Sequence, residues 1–183
     1  MSLYQTKGTT ILSMQAVLEQ RLGAGAFKRL ATATGATWGI PLANGLYDAE
    51  ELCRLTSAAA AELRSTQLEL FTASSEYNAR HDLPTIHRIV LRVITPQLLL
   101  ARGARFWRAY TAFGETRVAR NEPGDFEGIT EGIPPQLKDF VEGAWRGFAP
   151  AAVALAGGKS PHITETRWTG GPSWALHVSL QYD

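Results

Sequence analysis

The stretch that decides the fold is Ser173-Trp174-Ala175-Leu176-His177-Val178-Ser179-Leu180-Gln181-Tyr182, at the end of the chain. Large apolar residues occupy every second position, and small or polar residues fill the positions between them. Successive side chains of a β-strand point to opposite faces, so this alternation predicts a strand with one buried face. Residues 161–168 contain further strand-forming residues, and Thr169-Gly170-Gly171-Pro172 joins the two runs. Turn residues of this kind predict a C-terminal antiparallel hairpin.

The N-terminal part of the chain predicts helices. Apolar residues at helical spacing indicate a first helix that begins at a Thr9 or Thr10 cap and ends at Gly23, and a short second helix over residues 27–33. Glycines and a proline interrupt residues 34–47, which predicts a loop, with Trp38 and Ile40 as its anchors in the core.

Capping signals mark the helices that follow. Asp48 with Glu51, and Thr66 with Glu69, have the spacing of capping boxes and predict two helix starts. Two more helices are predicted over residues 85–94 and 96–113, because Pro96 follows a plausible Thr95 cap and Pro84 stands before the earlier one. Since proline lacks a backbone N–H, a continuous helix through residue 84 is not expected.

The second half of the chain predicts a hairpin, a helix and the C-terminal hairpin. Residues 115–120 and 125–131 alternate and flank a turn sequence, and the prolines at 134 and 135 open an amphipathic helix that ends at Gly157-Gly158. The predicted class is therefore α+β: an N-terminal helical half, then a hairpin, a long helix and a C-terminal hairpin, with both hairpins in one four-stranded antiparallel sheet. At 183 residues with 45% apolar content, we expect one domain, residues 1–183.

Composition excludes several classes of function. A net charge of +1 gives no overall electrostatic attraction to nucleic acid, and no apolar run approaches the roughly 20 residues of a membrane span. The single cysteine, Cys53, cannot form an intrachain disulfide, and no signal peptide is visible, so we expect a cytoplasmic protein.

One charge asymmetry is local. Residues 80–120 carry a net charge of +6, from eight arginines and two acidic residues, and residues 121–145 carry −5. The two segments either face each other or form solvated surfaces, because exposure is usual for charged side chains. The alternative is a dimer contact or a docking patch for an acidic partner.

No catalytic or metal-binding pattern is present in the sequence. There is no nucleophile elbow, no phosphate-binding loop and no dinucleotide fingerprint. The four histidines are scattered along the chain, at His81, His87, His162 and His177. Cys53 lies beside an apolar helical stripe, as a small buried side chain does. We therefore expect neither an enzyme nor a metal site.

Aromatic residues provide the candidate binding site. Phe106, Trp107 and Tyr110 lie on one predicted helix, and Trp145 and Phe148 lie three apart on another. Aromatic stripes at helical spacing are usually core packing. The alternative is an apolar ligand pocket between these two helices and the C-terminal sheet, with His87 as a further candidate.

Several segments resemble the superfamily that unites haem nitric-oxide/oxygen-binding (H-NOX) domains, vinyl-4-reductase-type ligand-binding domains and TRAPP transport subunits. Lys7-Gly8-Thr9 resembles the opening of H-NOX chains, and the segment from Tyr47-Asp48-Ala49-Glu50-Glu51-Leu52 through Ala58-Ala59-Ala60 to Phe71 resembles the helical pair that follows. Residues 163–171 resemble the shared terminal hairpin. Residues 79–88, 91–93 and 106–108 resemble an uncharacterised family found in myxobacteria and other bacteria. The resemblance implies the same α+β fold over nearly the whole chain.

The departures from that superfamily concern its inorganic chemistry. A haem-binding member has a proximal histidine on the helix that corresponds to residues 95–113, where this chain has none. The Tyr-x-Ser-x-Arg motif for the haem propionates is also missing, since residues 127–133 read Glu-Gly-Ile-Thr-Glu-Gly-Ile. Some relatives place zinc-associated cysteines around the terminal turn, where this chain has Trp168 and Trp174.

The resemblance, read with these departures, implies a non-enzymatic sensory or adaptor domain for signalling, with no haem or zinc cofactor. We expect it to bind a small apolar ligand, a protein partner, or both, and to form a homodimer by analogy with its relatives. Two alternatives stay open. One is a haem-dependent gas sensor that uses His87 or His81 as an atypical ligand, and the other is a purely structural protein-interaction module.

Overall fold

The computed structural model describes residues 3–91, 94–171 and 173–183, and describes only the helical backbone of residues 84–91. The helices are α1 (Gly8–Leu22), α2 (Ala26–Ala33), α3 (Ala49–Leu63), α4 (Gln67–Leu91), α5 (Pro96–Leu100), α6 (Gly103–Tyr110) and α7 (Lys138–Leu155). The strands are β1 (Gln5–Lys7), β2 (Leu46–Asp48), β3 (Glu115–Glu122), β4 (Asp125–Ile133), β5 (His162–Thr169) and β6 (Trp174–Gln181).

The predicted α+β class and the four-stranded sheet are confirmed. The sheet has the order β3-β4-β6-β5, and every pairing is antiparallel. The β4–β6 pairing joins the two predicted hairpins into one sheet. On β6 the alternating residues Leu176, Val178 and Leu180 are fully buried, as the period of two requires.

Helix α7 lies between the helical layer and the sheet. Its buried face carries Phe140, Val141 and Trp145, which belong to the main core together with residues of α1, α3 and β6. On the α4 side it presents glycines: a Cβ at Gly147 would overlap the Thr72 carbonyl oxygen, and one at Gly143 would overlap Phe71. The two helices approach closely because these positions have no side chain.

Two cap predictions are confirmed. The Thr66 hydroxyl accepts a hydrogen bond from the Glu69 N–H at 3.1 Å, and the Glu69 carboxylate accepts one from the Thr66 N–H at 3.1 Å. The Thr95 hydroxyl caps α5 by accepting from the Leu98 N–H at 3.2 Å. Both pairs satisfy N–H groups that a helix start leaves without partners.

The Asp48 capping box forms only in part. Asp48 caps α3 by accepting from the Glu50 N–H at 2.7 Å. Glu51 does not return the bond. Its carboxylate accepts hydrogen bonds from the N–H and hydroxyl of Thr37, at 2.9 and 2.8 Å, and so ties the loop of residues 34–47 to α3.

The predicted start of α1 is wrong. Neither Thr9 nor Thr10 caps the helix, which begins at Gly8 directly after β1 and has no side-chain cap. The N–H of Gly8 donates to the Gly45 carbonyl at 2.9 Å, and that of Thr9 donates to the Ala43 carbonyl at 3.1 Å. A loop distant in sequence therefore satisfies the first turn of α1. The same loop leads into β2, whose pairing with β1 was not predicted.

Three further predictions are corrected. Ile40 does not anchor its loop, because Trp38 packs on Phe27 (ring centroids 6.1 Å apart) and leaves Ile40 88% exposed. Helix α4 continues through Pro84, since packing along α7 offsets the one backbone hydrogen bond that proline removes. The predicted helix over 96–113 is two helices, α5 and α6, which meet at residues 101–102.

Among the described residues, no helix is both long enough and apolar enough to cross a lipid bilayer.

Candidate functional site

A cavity of about 100 Å³ lies among α1, α4, α5, α6, α7 and β4. Five of the six candidate residues line it: Phe106, Trp107, Tyr110, Trp145 and Phe148. The sixth, His87, has its side chain outside the described residues. The structure thus brings the aromatic candidates together around one space, and whether they bind a ligand stays a prediction.

The aromatic wall follows from the spacing on α6. Phe106 and Tyr110 are four residues apart and therefore share a helix face. Both rings contact Phe148 of α7, with centroids 6.1 and 5.7 Å from it. Trp107, on the neighbouring face, is buried and packs edge-on against Phe113 at 6.0 Å. These contacts fix α6 against α7 and form one side of the cavity.

Both cavity tryptophans already have hydrogen-bond partners. The Trp107 indole N–H donates to the Phe113 carbonyl at 2.8 Å, and that of Trp145 donates to the Thr130 hydroxyl at 2.9 Å. Thr130 also bonds the Thr116 hydroxyl, at 2.9 Å. Gly128 of β4 makes room for Trp145, because a Cβ there would come within 2.8 Å of the indole. The tryptophans therefore present apolar surface to the cavity and no free donor.

Sequence reasoning missed the α4 and α1 walls. Ser75 and Asn78 of α4, Thr10 of α1 and Phe126 of β4 also line the cavity. The available signal was a group of small polar residues on α4, but such residues are usually exposed. Only the packing of α4 along α7 turns them inward.

Two side chains of opposite charge, Lys7 and Asp82, lie near Tyr110. The Lys7 ammonium is 5.8 Å from the Tyr110 ring centroid. Burial, and then the negative charge of Asp82, raise the pKa of Tyr110. Burial also raises the pKa of Asp82, an effect that Lys7 opposes. Tyr110 therefore keeps its proton at neutral pH and is an apolar ring with a neutral hydroxyl.

The described lining does not fit a haem. Haem iron takes His, Cys, Met or Tyr as its protein ligand, and of the described lining residues only Tyr110 is one of these. No described lining residue is an Arg or Lys able to pair with propionates. The cavity is also smaller than the roughly 300–1,000 Å³ of drug-sized ligand sites.

The described histidines lie elsewhere. His81 and His162 are exposed and His177 is half-buried, and none of the three lines the cavity. The His81 ring stacks on Tyr77 at a centroid distance of 3.7 Å. Within residues 3–91, 94–171 and 173–183, no three His, Cys, Asp or Glu side chains are grouped closely enough to hold a metal.

The terminal hairpin, which has tryptophans in place of cysteines beside its turn, holds Lys138 between two indole rings. The Lys138 ammonium lies 3.7 Å from the Trp174 ring centroid and 4.8 Å from that of Trp168. The Trp168 N–H donates to Glu142 at 2.7 Å. These contacts clamp the start of α7 onto the sheet, a structural role.

The two oppositely charged segments meet in the β3–β4 hairpin. Arg117 pairs with Glu131 at 3.2 Å, and Arg120 pairs with Asp125 at 3.0 Å. Three of the four side chains are exposed and Asp125 is partly exposed, so these pairs contribute little to stability. Local pairing across one hairpin accounts for part of the asymmetry.

Comparison with solved structures identifies the fold. The chain matches the Fe(II) unliganded H-NOX protein from K. algicida with a TM-score of 0.77 and 12% identity, over 97% of this chain and 96% of that one. It matches an oxygen-binding H-NOX domain related to soluble guanylate cyclases with a TM-score of 0.70 and 10% identity, over 97% and 95%.

A structure described as showing modulation of haem redox potential through protein-induced porphyrin distortion matches with a TM-score of 0.68 and 11% identity, over 96% and 99%. No protein-family model matches the chain, and no curated protein matches it in sequence. The chain therefore has an H-NOX-like fold along almost its whole length, and the predicted resemblance is confirmed at the level of fold. At such low identity, function has to be argued from the site.

Proposed function

We propose that this H-NOX-like chain is a non-enzymatic sensory domain that binds a small apolar molecule directly in its aromatic cavity. The observation that carries the proposal is the lining. Aromatic and aliphatic side chains dominate it, both indole N–H groups are bonded to protein acceptors, and Tyr110 is neutral. Concave apolar sites of this kind bind ligands through surface burial.

The size of the cavity bounds the ligand. An apolar cavity of about 150 Å³ holds benzene, so a cavity of about 100 Å³ takes roughly four non-hydrogen atoms. The best very small ligands gain about 1.5 kcal/mol for each such atom, which limits affinity to a Kd of roughly 40 μM. A signal would then require the ligand at micromolar concentration or above.

The helices that form the walls of the cavity can transmit ligand binding to the protein surface. Helices α6 and α7 contact each other through aromatic rings around the cavity, and α6 also packs on β3. A ligand between α6 and α7 changes which separation of these helices is favoured, and so shifts the population of conformers that a protein partner reads. The proposal includes a protein partner that recognises one of these conformers, and it includes the homodimer expected from the sequence.

Xenon binding tests the cavity. We expect a concentration-dependent ¹²⁹Xe chemical shift with the wild-type chain, and its loss in Ala149→Ile, which fills the cavity from α7. Ala154→Ile adds the same side chain at an exposed position of α7 and serves as the matched control. An equal xenon shift in all three proteins would contradict the proposal.

The solved structures favour a second candidate, a haem-dependent gas sensor. Their descriptions name Fe(II), an oxygen complex and a haem redox potential. His81 and His87 both lie on α4, the helix that carries Ser75 and Asn78 into the cavity wall, but His81 is exposed and does not line the cavity. A Soret band after haem reconstitution, lost in His87→Ala and kept in His81→Ala, would establish this candidate in place of the first.

A third candidate is a structural protein-interaction module with no ligand. Native mass spectrometry of freshly purified protein distinguishes it, because a bound small molecule adds mass that heat denaturation releases. A ligand-free homodimer, together with absent xenon binding, would favour this candidate.

A further inference from the structure

The solvent side of α6 carries arginines that no carboxylate neutralises. Arg102, Arg105 and Arg108 are exposed and lie three residues apart, so they form one row along the helix. None of the three pairs with an acidic side chain among the described residues, and the only printed bond is a long one, from Arg108 Nε to the Ala104 carbonyl at 3.4 Å. Five other described arginines have a carboxylate within 3.2 Å: Arg29, Arg80, Arg117, Arg120 and Arg146. The guanidinium groups of α6 are therefore available to a partner outside the chain.

The arginine row and the cavity lie on opposite sides of the same helix. Phe106 and Tyr110 face inward, where both rings pack on Phe148 of α7. With about 3.6 residues per turn, Arg105 and Arg108 project from the other side. A ligand that displaces the inward face of α6 therefore moves the arginine row as well.

The positive charge of α6 does not continue onto the neighbouring strand. Strand β3 packs on α6, but both of its arginines pair with carboxylates of β4, and the exposed Glu115 adds negative charge at its start. At about 1.5 Å per residue, the row from Arg102 to Arg108 is roughly 9 Å long. The free basic surface is therefore short, with about the length of two turns of a partner helix.

The chemistry of this surface favours the carboxylates of a protein. Arginine pairs with a carboxylate through two parallel N–H groups, and arginine is enriched in protein interfaces whereas lysine is depleted. The side chains of Ala104 and Ala109 on the same side of α6 are small, so a partner chain can approach the helix closely. Large polyanions fit less well. The chain has a net charge of only +1, whereas nucleic-acid-binding domains are strongly basic, and lipid headgroup sites usually gather about four to eight basic residues.

We infer that Arg102, Arg105 and Arg108 form the surface through which this domain binds a partner protein that presents a row of Asp or Glu side chains. The inference rests on the proposed function, to which it adds the partner surface and the chemistry of the partner. Each guanidinium pairs with a carboxylate, and the complementary charges fix the register of the two proteins and speed their association. Because α6 is also a wall of the cavity, a ligand there changes how tightly the partner is held.

A matched pair of peptides tests the inference on the wild-type chain. The first is an alanine-based helical peptide of about 15 residues with three glutamates on one face, and the second has glutamines in their place. In NMR titrations, we expect the glutamate peptide to shift the backbone amide signals of Ala104 and Ala109, and to bind more weakly as salt is raised. We expect the glutamine peptide to leave these signals unchanged.

Charge variants locate the binding surface. In Arg105→Gln/Arg108→Gln, we expect the glutamate peptide to bind roughly 2- to 30-fold more weakly, the effect of losing two exposed ion pairs. Arg21→Gln/Arg54→Gln removes the same charge from exposed positions of α1 and α3, and we expect it to bind the peptide nearly as the wild type does. All four side chains are exposed, so both variants keep the core intact, which circular dichroism checks.

The outcomes separate this inference from the proposed function. If the two peptides bind equally, or the control variant loses as much affinity as the α6 variant, the inference fails. It also fails if the α6 arginines are required for binding duplex DNA or phosphatidylserine vesicles but not the glutamate peptide, or if the α6 variant dissociates a homodimer of the wild type. Peptide binding needs no ligand in the cavity. If the glutamate peptide binds as expected and xenon does not bind, the proposed function fails and the acidic-partner surface stands.

Discussion

The hydroxyl of Thr130 holds one wall of the cavity in place, and replacing it with a methyl group tests this role. In Thr130→Val the indole N–H of Trp145 loses its acceptor at 2.9 Å, and the Thr116 hydroxyl loses its partner at 2.9 Å. Valine has nearly the shape of threonine, so the packing around Trp145 changes little.

The expected cost follows from the burial of these groups. Thr130 is fully buried and Trp145 is 8% exposed, so water cannot replace the lost bond. A buried donor without a partner costs about 1–3 kcal/mol, and the Thr116 bond adds about 1 kcal/mol. We expect Thr130→Val to lower the free energy of unfolding by about 2–4 kcal/mol. In a domain of this size that corresponds to a fall in Tm of roughly 4–16 °C.

Thr116→Val is the matched control. It breaks the bond between the two hydroxyls but leaves the Trp145 bond intact, so we expect a loss of only about 1 kcal/mol. Urea denaturation followed by circular dichroism gives both values, and Trp145→Phe shows whether the excess depends on the indole. If Thr130→Val destabilises the protein no more than Thr116→Val does, the bond does not support Trp145 and the reasoning is refuted.

Three further predictions concern packing and ionisation. Gly147→Ala should lower the free energy of unfolding by about 1–3 kcal/mol, because the added Cβ overlaps the Thr72 carbonyl oxygen. Gly103→Ala should be nearly neutral in the same urea denaturation assay, because a Cβ at that position makes only ordinary van der Waals contact. Burial raises the pKa of Cys53 to about 12. A disulfide reagent at pH 8 should therefore react slowly with Cys53 in the folded protein and rapidly in urea. Rapid labelling of the folded protein would contradict this prediction. Burial alone would raise the pKa of Glu142, but hydrogen bonds from Trp168, Arg146 and Thr166 together hold it below the ordinary value. The ionised Glu142 carboxylate therefore stabilises the folded protein above about pH 4.5, and this stabilisation is lost as the pH falls and the carboxylate is protonated. We expect the Tm difference between wild type and Glu142→Gln to shrink between pH 6 and pH 3. A constant difference would refute the assignment.

Short sequence patterns correctly predicted the helix starts that are stabilised by residues next to them in sequence. The hydroxyls of Thr66 and Thr95 cap the helices that the sequence assigns to them, because a cap satisfies N–H groups within the next turn. At the start of α1 the apparent capping signal of Thr9 and Thr10 is misleading, since the N–H groups of the first turn donate to carbonyls of residues 43 and 45. Short strands such as β1 and β2 likewise form only because a distant segment offers the pairing.

The residues of the candidate site are likewise of two kinds, those that the sequence identifies and those that only the packing of helices brings to the cavity. Aromatic residues at helical spacing identified Phe106, Trp107, Tyr110, Trp145 and Phe148, and the structure places all five around one cavity. Asn78 could not be identified from the sequence. Its burial depends on the path of α4, which continues through Pro84 and packs closely on the glycines of α7.

The sequence alone determined the sheet that closes the domain, because a period of two along residues 173–182 places Leu176, Val178 and Leu180 on one face whatever lies against it. It also determined that no histidine stands on residues 95–113. The tertiary structure decided what the aromatic residues enclose, because the size of a cavity depends on how closely helices approach. Helices α4 and α7, in close contact, leave a cavity of about 100 Å³ with α6, a property that no single segment of the chain encodes.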